Sequence, residues 1–115
     1  MLTKHQNGAF VIVLNPTDEI VVVQQNYGDH LWMLPGGGIE RGELPGHAGQ
    51  EETEEESGLW IYQHKLELVA LFTQRLGLLP LFQTSYYEGV LRKEPSNEIR
   101  AAQFMSFQEI IDRRQ

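Results

Sequence analysis

Five glutamates fall within six residues, at Glu51, Glu52, Glu54, Glu55 and Glu56, and their order sets the chemistry open to this chain. In a helix Glu52, Glu55 and Glu56 stand at i, i+3 and i+4, so their carboxylates project from one face. Like charges at that spacing repel, and the C-terminal half of a helix already disfavours anions. No Lys or Arg occurs between Glu43 and Lys65, so nothing local compensates. A divalent cation would. An all-oxygen donor set with room for water and phosphate suits Mg²⁺ or Mn²⁺. The same residues taken alone fit a solvated acidic face equally well.

Upstream stands Gly36-Gly37-Gly38, directly after Pro35. Three consecutive glycines are expected to form a loop where backbone comes close to something, because no Cβ keeps it away. Taken alone, the run fits a flexible turn equally well. Tyr27 and Trp32 precede the loop and could stack on a base or sugar, although Trp32 fits a core position as well.

These groups need elements to carry them. The acidic helix is expected from about Pro45 to Ser57, with Pro in its first turn and Gly58 as the left-handed cap. Before it, Gly8 to Leu14 and Ile20 to Gln25 read as strands, rich in β-branched residues, joined by Asn15-Pro16-Thr17-Asp18 in a hairpin. Leu31 to Leu34 is a short strand ended by Pro35. After the helix, Leu59 to Thr73 reads as one bent strand or two, and Leu79 to Leu91 as a further strand region. Ile99 to Met105 forms the last strand. Ser106 and Glu109 have capping-box spacing, so a short helix begins there.

At 115 residues, with 41% hydrophobic and 22% charged residues, the chain is expected to be a single domain, 1–115, of an ordinary globular kind. The absence of Cys excludes disulfides, thiol nucleophiles and Cys-bound zinc. The apolar run Ala9 to Leu14 is too short for a membrane span, and a cytoplasmic location is the expectation. The net charge of −7 is uneven: residues 40–56 hold seven acids against Arg41 alone. The overall acidic balance argues against binding a nucleic-acid backbone, and the local concentration points to a site for cations.

With the spacing included, Leu34-Pro35-Gly36-Gly37-Gly38-Ile39-Glu40-Arg41-Gly42-Glu43, followed by Glu52-Thr53-Glu54-Glu55-Glu56-Ser57-Gly58-Leu59, resembles the signature of the Nudix hydrolases. In that family's box, here residues 37–59, a Gly, a Glu, an Arg-Glu pair, a Glu-Glu pair and a final Gly-aliphatic pair stand at fixed intervals. Gly37, Glu43, Glu52, Glu55, Glu56, Gly58 and Leu59 coincide with it. The resemblance implies an α/β fold, the α/β/α sandwich with a central mixed β-sheet and a loop-helix-loop metal site. It also implies hydrolysis of a diphosphate linkage in a nucleoside diphosphate derivative: a nucleotide sugar, an ADP-ribose-like compound or a nucleoside triphosphate. Metal would sit on Glu52, Glu55 and Glu56 with Gly37, phosphate would meet the backbone of Gly36 and Gly38, and Glu52 or Glu55 would act in catalysis, with Glu43 in a structural or outer-shell role. A homodimer is left open.

Two positions depart from the pattern. Glu51 stands where the family has Arg, and Thr53 where it has an aliphatic residue. The family Arg resembles an orienting partner for the neighbouring Glu; Glu51 adds a like charge instead. A nucleotide-binding domain of the same family with little or no turnover is therefore the alternative reading. Near the C-terminus Gln103 takes the place where some members carry an extra Glu, and Glu98 in the preceding loop is the candidate to replace it. His5, His30, His47 and His64 lack ligand spacing and read as surface or packing residues, and Arg75, Arg92 and Arg100 read as isolated surface charges.

Overall fold

The structure, a computed structural model, describes residues 7–75 and 77–113. His5 lies outside them. Strands β1 (Gly8–Val13), β2 (Ile20–Gln25), β3 (Trp32–Met33) and β4 (Gly36–Gly38) precede helix α1 (Pro45–Ser57). Strands β5 (Trp60–Ile61), β6 (Glu67–Gln74), β7 (Gly77–Thr84), β8 (Tyr87–Glu88) and β9 (Ile99–Met105) then lead to helix α2 (Phe107–Arg113).

The central sheet is mixed, in the order β4-β1-β7-β6. Strands β1 and β7 run parallel, with Phe10 opposite Leu81, and the other two pairings are antiparallel. A second sheet, β3-β2-β9, is antiparallel throughout, and β5 pairs with β8. Val11 and Val13 of β1, Val21 of β2, and Leu59 and Ile61 form the buried cluster, with Phe82, Tyr87 and Phe104 packed against it. Helix α1 lies over β1 and β4, and α2 packs on β9. A central mixed sheet with two helices is the α/β architecture that the sequence implies.

Two sequence expectations need correction. The β1–β2 hairpin closes only at its mouth, through the single bridge Leu14 to Ile20 and the bond from Asn15 N–H to the Glu19 carbonyl at 3.0 Å. Beyond it the strands diverge, because each is the inner strand of its own sheet. The glycine run, expected as a loop, is strand β4, with Ala9 opposite Gly37 and Phe10 opposite Gly36. Closeness, not flexibility, requires glycine there: a Cβ on Gly36 would strike the Ala9 carbonyl oxygen and lie 2.8 Å from Phe10 Cα.

Other boundaries follow the sequence closely. Pro45 opens α1, and Gly58, at φ 86°, ends it with its N–H bonded to the Glu54 carbonyl at 2.9 Å. Leu59 to Thr73 divides into β5 and β6 around a 3₁₀ turn, Gln63–Lys65. Ser106 and Glu109 exchange reciprocal cap bonds of 3.0 and 3.1 Å, as their spacing requires. Helix α1 buries small or polar residues: Ala48, Gly49, Thr53, Glu56 and Ser57. Its seat on β1 is tight, since a Cβ at Gly49 would lie 3.0 Å from Val11 Cγ2.

Thr53 is fully buried, and its Oγ1 has no hydrogen-bond partner among the described residues. A buried unpaired hydroxyl is costly, and Val fills nearly the same shape without it. Thr53→Val should therefore stabilise the protein by about 1 kcal/mol. Thermal melts of the two proteins check this; an unchanged or lower melting temperature would refute it.

Candidate functional site

The site forms where α1 presses its acidic face against β4. Glu56 is buried, 7% exposed, and its Oε1 accepts the Gly36 N–H at 2.9 Å. The carboxyl of Glu52 lies directly against Gly37, so close that a Cβ at that position would overlap Oε1. The glycine strand is therefore a wall on which two carboxylates rest. Glu55 stands exposed beside them, close enough to act on the Glu52 carboxyl. Glu54 and Glu51, also exposed, point elsewhere on the helix.

The electrostatics follow from that crowding. Desolvation pushes the Glu52 carboxyl up to about 8, helped by the neighbouring Glu55 carboxyl and by the charge of Glu56. Desolvation likewise raises Glu56 to about 7, against the Gly36 N–H, which favours its charged form; Glu98 and Glu55 add to the rise. Raised carboxyls of this kind hold a proton more readily, and a cation would relieve the same repulsion. Oxygen donors alone, a wall without Cβ atoms, and carboxyls held together against repulsion fit a hard divalent cation.

The loops bring two further sequence candidates near. Asn26 N–H donates to the Glu98 carbonyl at 2.8 Å and its side-chain amide to the Ser96 carbonyl at 2.7 Å, joining the 26–30 loop to the 96–98 loop. Across that junction the Tyr27 hydroxyl is raised by burial, then by the charges of Glu98 and Glu56. Glu98 and Tyr27 thus face the Glu56 end of the site. Gln103, by contrast, lies opposite Val22 within the second sheet.

Trp32 stands opposite Gln24, on the face of β2 that also carries Val22. That face and α2 enclose a cavity of about 480 Å³, lined among others by Trp32, Leu34, Met105, Ile110, Asp29 and His30. Arg113 lies 5.3 Å over the Trp32 ring. Trp32 is therefore a half-buried cavity wall rather than a core residue. Pro35 alone separates the Leu34 end of that wall from Gly36.

Two roles escape the sequence reading. His47 Nδ1 lies 2.8 Å from Glu43, whose carboxylate also accepts the Glu40 N–H at 3.0 Å. The Glu40 bond and the His47 contact hold the Glu43 carboxyl below its ordinary value. Glu43 thereby ties the loop to the start of α1, the structural part the sequence assigned it. Ligand atoms of Glu43, His47 and Glu51 all lie within 4.8 Å of one another, so His47 does have a ligand-like spacing, contrary to expectation. The i, i+4 step from Glu43 to His47 was the available signal. Arg92 bonds the Glu55 and Glu94 carbonyls, answering the negative end of α1. Its distance in sequence left no local sign.

Protonation and stability are linked here. Glu52 and Glu56 bind protons more tightly in the folded chain than at the ordinary value of 4.5. The stabilisation is fully present below that value and is lost as pH rises through about 7 to 8. Without divalent metal, the melting temperature should fall from pH about 5 to about 8. Glu56→Gln, which keeps an acceptor for Gly36, should flatten the fall. A melting temperature that rises across the window would contradict the assignment.

Known proteins share this fold. The structure resembles a MutT NUDIX hydrolase of Burkholderia pseudomallei, with TM-score 0.76 and 17% identity over 90% of this chain and 84% of that one. It resembles a MutT from a study of Aliivibrio salmonicida and Vibrio cholerae, with TM-score 0.78 and 18% identity over 92% and 83%. A Bacillus subtilis (strain 168) protein, named for 8-oxo-dGTP diphosphatase activity, is 43% identical over 54 residues. That stretch is 47% of this chain and only 36% of the relative's length. The sequence model of the NUDIX domain matches residues 4–115, nearly the whole chain, and with the glutamates of α1 seated on the glycines of β4 this chain belongs to the NUDIX domain family.

Proposed function

We propose that the chain is a Mg²⁺-dependent pyrophosphohydrolase, Mn²⁺ serving as a substitute, which cleaves the diphosphate linkage of a nucleoside diphosphate derivative in the cytoplasm. The observation that carries this reading is the pair of carboxyls on the glycine wall: Glu56 bonded to Gly36 and Glu52 against Gly37. Glu52, Glu55 and Glu56, with the Gly37 carbonyl, would hold the cation, and Glu98 faces it from the neighbouring loop. When bound, such a cation neutralises phosphate charge and makes its water more acidic. The proton acceptor for the attacking water comes from the same acidic face, Glu52 or Glu55. Phosphate contact falls to the Gly38 backbone, not Gly36, where the space of the missing Cβ is taken by the Ala9 carbonyl and Phe10 and the N–H by Glu56.

The cavity beside β3 supports a nucleoside as the leaving or retained group. Trp32 offers a ring face, Leu34 and Met105 apolar walls, and Asp29, His30 and Arg113 polar contacts. Tyr27, between Glu98 and Glu56, suits the sugar or the first phosphate. Nucleoside triphosphates, including oxidised ones, and dinucleoside polyphosphates enter as substrate classes. The first accords with the name of the Bacillus subtilis relative, and the second with the Caenorhabditis elegans Ap4A hydrolase, a structural neighbour of TM-score 0.64 and 20% identity.

Phosphate or pyrophosphate release from a panel of such compounds, with and without Mg²⁺, tests the reading. Glu56→Gln should lower turnover by at least about a hundredfold, the loss expected when charge stabilisation is removed. Glu54→Gln, about 100° away from Glu55 around the helix, should be nearly silent. No Mg²⁺-stimulated release from any compound would leave the binding-domain reading, which Glu51 at the family Arg position favours.

Glu51 yields a second, separate expectation. An Arg at this position would meet the Glu43 carboxylate and restore a cation beside Glu52. Glu51→Arg should raise kcat about tenfold, some 1.4 kcal/mol of barrier, with KM unchanged. Steady-state kinetics on one accepted substrate decide it; a fall in kcat would mark Glu51 as an adapted part of the native site.

A further inference from the structure

Leu68, Val69, Leu71 and Phe72 of β6 and Leu78 of β7 are each between 46 and 58% exposed. They lie at the free edge of the four-stranded sheet: β6 pairs with β7 on one side, and among the described residues no strand pairs with it on the other. Side chains alternate along the strand, so Leu71 and Thr73 face one way, Ala70 and Phe72 the other. The register carries both faces onto β7, with Leu71 opposite Pro80 and Phe72 opposite Leu79. Helix α1 lies over β1 and β4, at the opposite end of the sheet, which leaves the hairpin apolar and open on both faces. A long edge strand with exposed apolar side chains is a template for another strand.

We propose that β6 pairs antiparallel with β6 of a second copy of this chain, about a two-fold axis near Leu71, joining two four-stranded sheets into one. The charges select this occupant. Residues 68–74 carry none; Glu67 opens the strand and Arg75 follows it. With the β-bulge at Val69, antiparallel pairing about Leu71 sets Glu67 of each copy opposite Gln74 of the other, one residue from its Arg75, whereas parallel pairing would set Glu67 against Glu67. Between the ends, Ala70 meets Phe72 and, across the bulge at Val69, Leu68 meets Thr73, cross-strand pairs of the kind that stabilise antiparallel sheets. The contact is isologous, as closed two-fold dimers require. It is independent of the proposed hydrolysis, since none of its residues lies among the glutamates of α1.

Sedimentation equilibrium of the full chain reads the outcome directly. The native protein at tens of micromolar should show twice the monomer mass of 13.2 kDa, and Leu71→Lys should show the monomer mass with an unchanged circular dichroism spectrum. Glu67→Arg alone places like charges at both ends and should weaken the dimer by about tenfold. Glu67→Arg combined with Arg75→Glu restores opposite charges and should recover it. Both positions are exposed, so this pair reads the interface even if Leu71→Lys fails to fold. A monomer throughout, a Leu71→Lys dimer, or a reversed pair that does not recover would each overturn the proposal.

Discussion

The bond from Gly36 N–H to the buried carboxylate of Glu56 joins everything that matters in this protein. It needs β4 to run against β1 without side chains, which Gly36 and Gly37 alone permit. It needs α1 to lie close enough for its fourth turn to reach the sheet, which depends on Gly49 against Val11. Strand β1 is in turn held on its other side by β7. The carboxyl group that is hardest to desolvate is therefore placed by the most tightly determined part of the fold. A buried charge costs several kcal/mol unless it is paired, and here one N–H shares that task with a proton or a cation.

Helix α1 is accordingly held by its surroundings more than by its own sequence. It begins at Leu44 without a side-chain cap bond, contains Gly46 and Gly49, and stacks acids towards its negative end. Each of these weakens an isolated helix. The compensations are tertiary. Arg92 bonds the Glu55 carbonyl, and Gln50 bonds the Ile61 carbonyl at 2.8 Å. At its start, Glu43 binds both the loop backbone and His47. A helix of this kind serves position over stability, as expected where a site must hold like charges together.

What the sequence made legible was local. Pro45, Gly58 and the Ser106–Glu109 box fixed the helix ends because cap chemistry is decided within a few residues. The i, i+3, i+4 glutamates were visible for the same reason. Pairing was not legible: β1 and β2 are adjacent in sequence and look like a hairpin, yet each takes other neighbours, β7 coming from about seventy residues away. Gly36–Gly38 looked like a loop because glycine weakens strands; only the closeness of Ala9, Phe10, Glu52 and Glu56 makes it the one residue that fits β4. Arg92 was hidden likewise, since its partners are set by the fold; Glu98 was a candidate by sequence, but only the fold gives it neighbours.

The change at position 51 is the point at which local and tertiary readings meet. Glu51 takes a cation away from Glu43, but Glu43 is not left alone, because His47 Nδ1 lies 2.8 Å from it. A ring N–H can donate to that carboxylate whether the imidazole is neutral or charged, so the loop–helix junction survives the exchange. What His47 cannot do is hold Glu52, whose carboxyl rests on Gly37 around the helix from it. The substitution thus separates two tasks that a single Arg could combine: tying down the start of the helix, and orienting the first glutamate of the acidic face. The first is retained by different chemistry. The second rests on the glycine wall alone, and any cost of Glu51 therefore falls on turnover, not on folding.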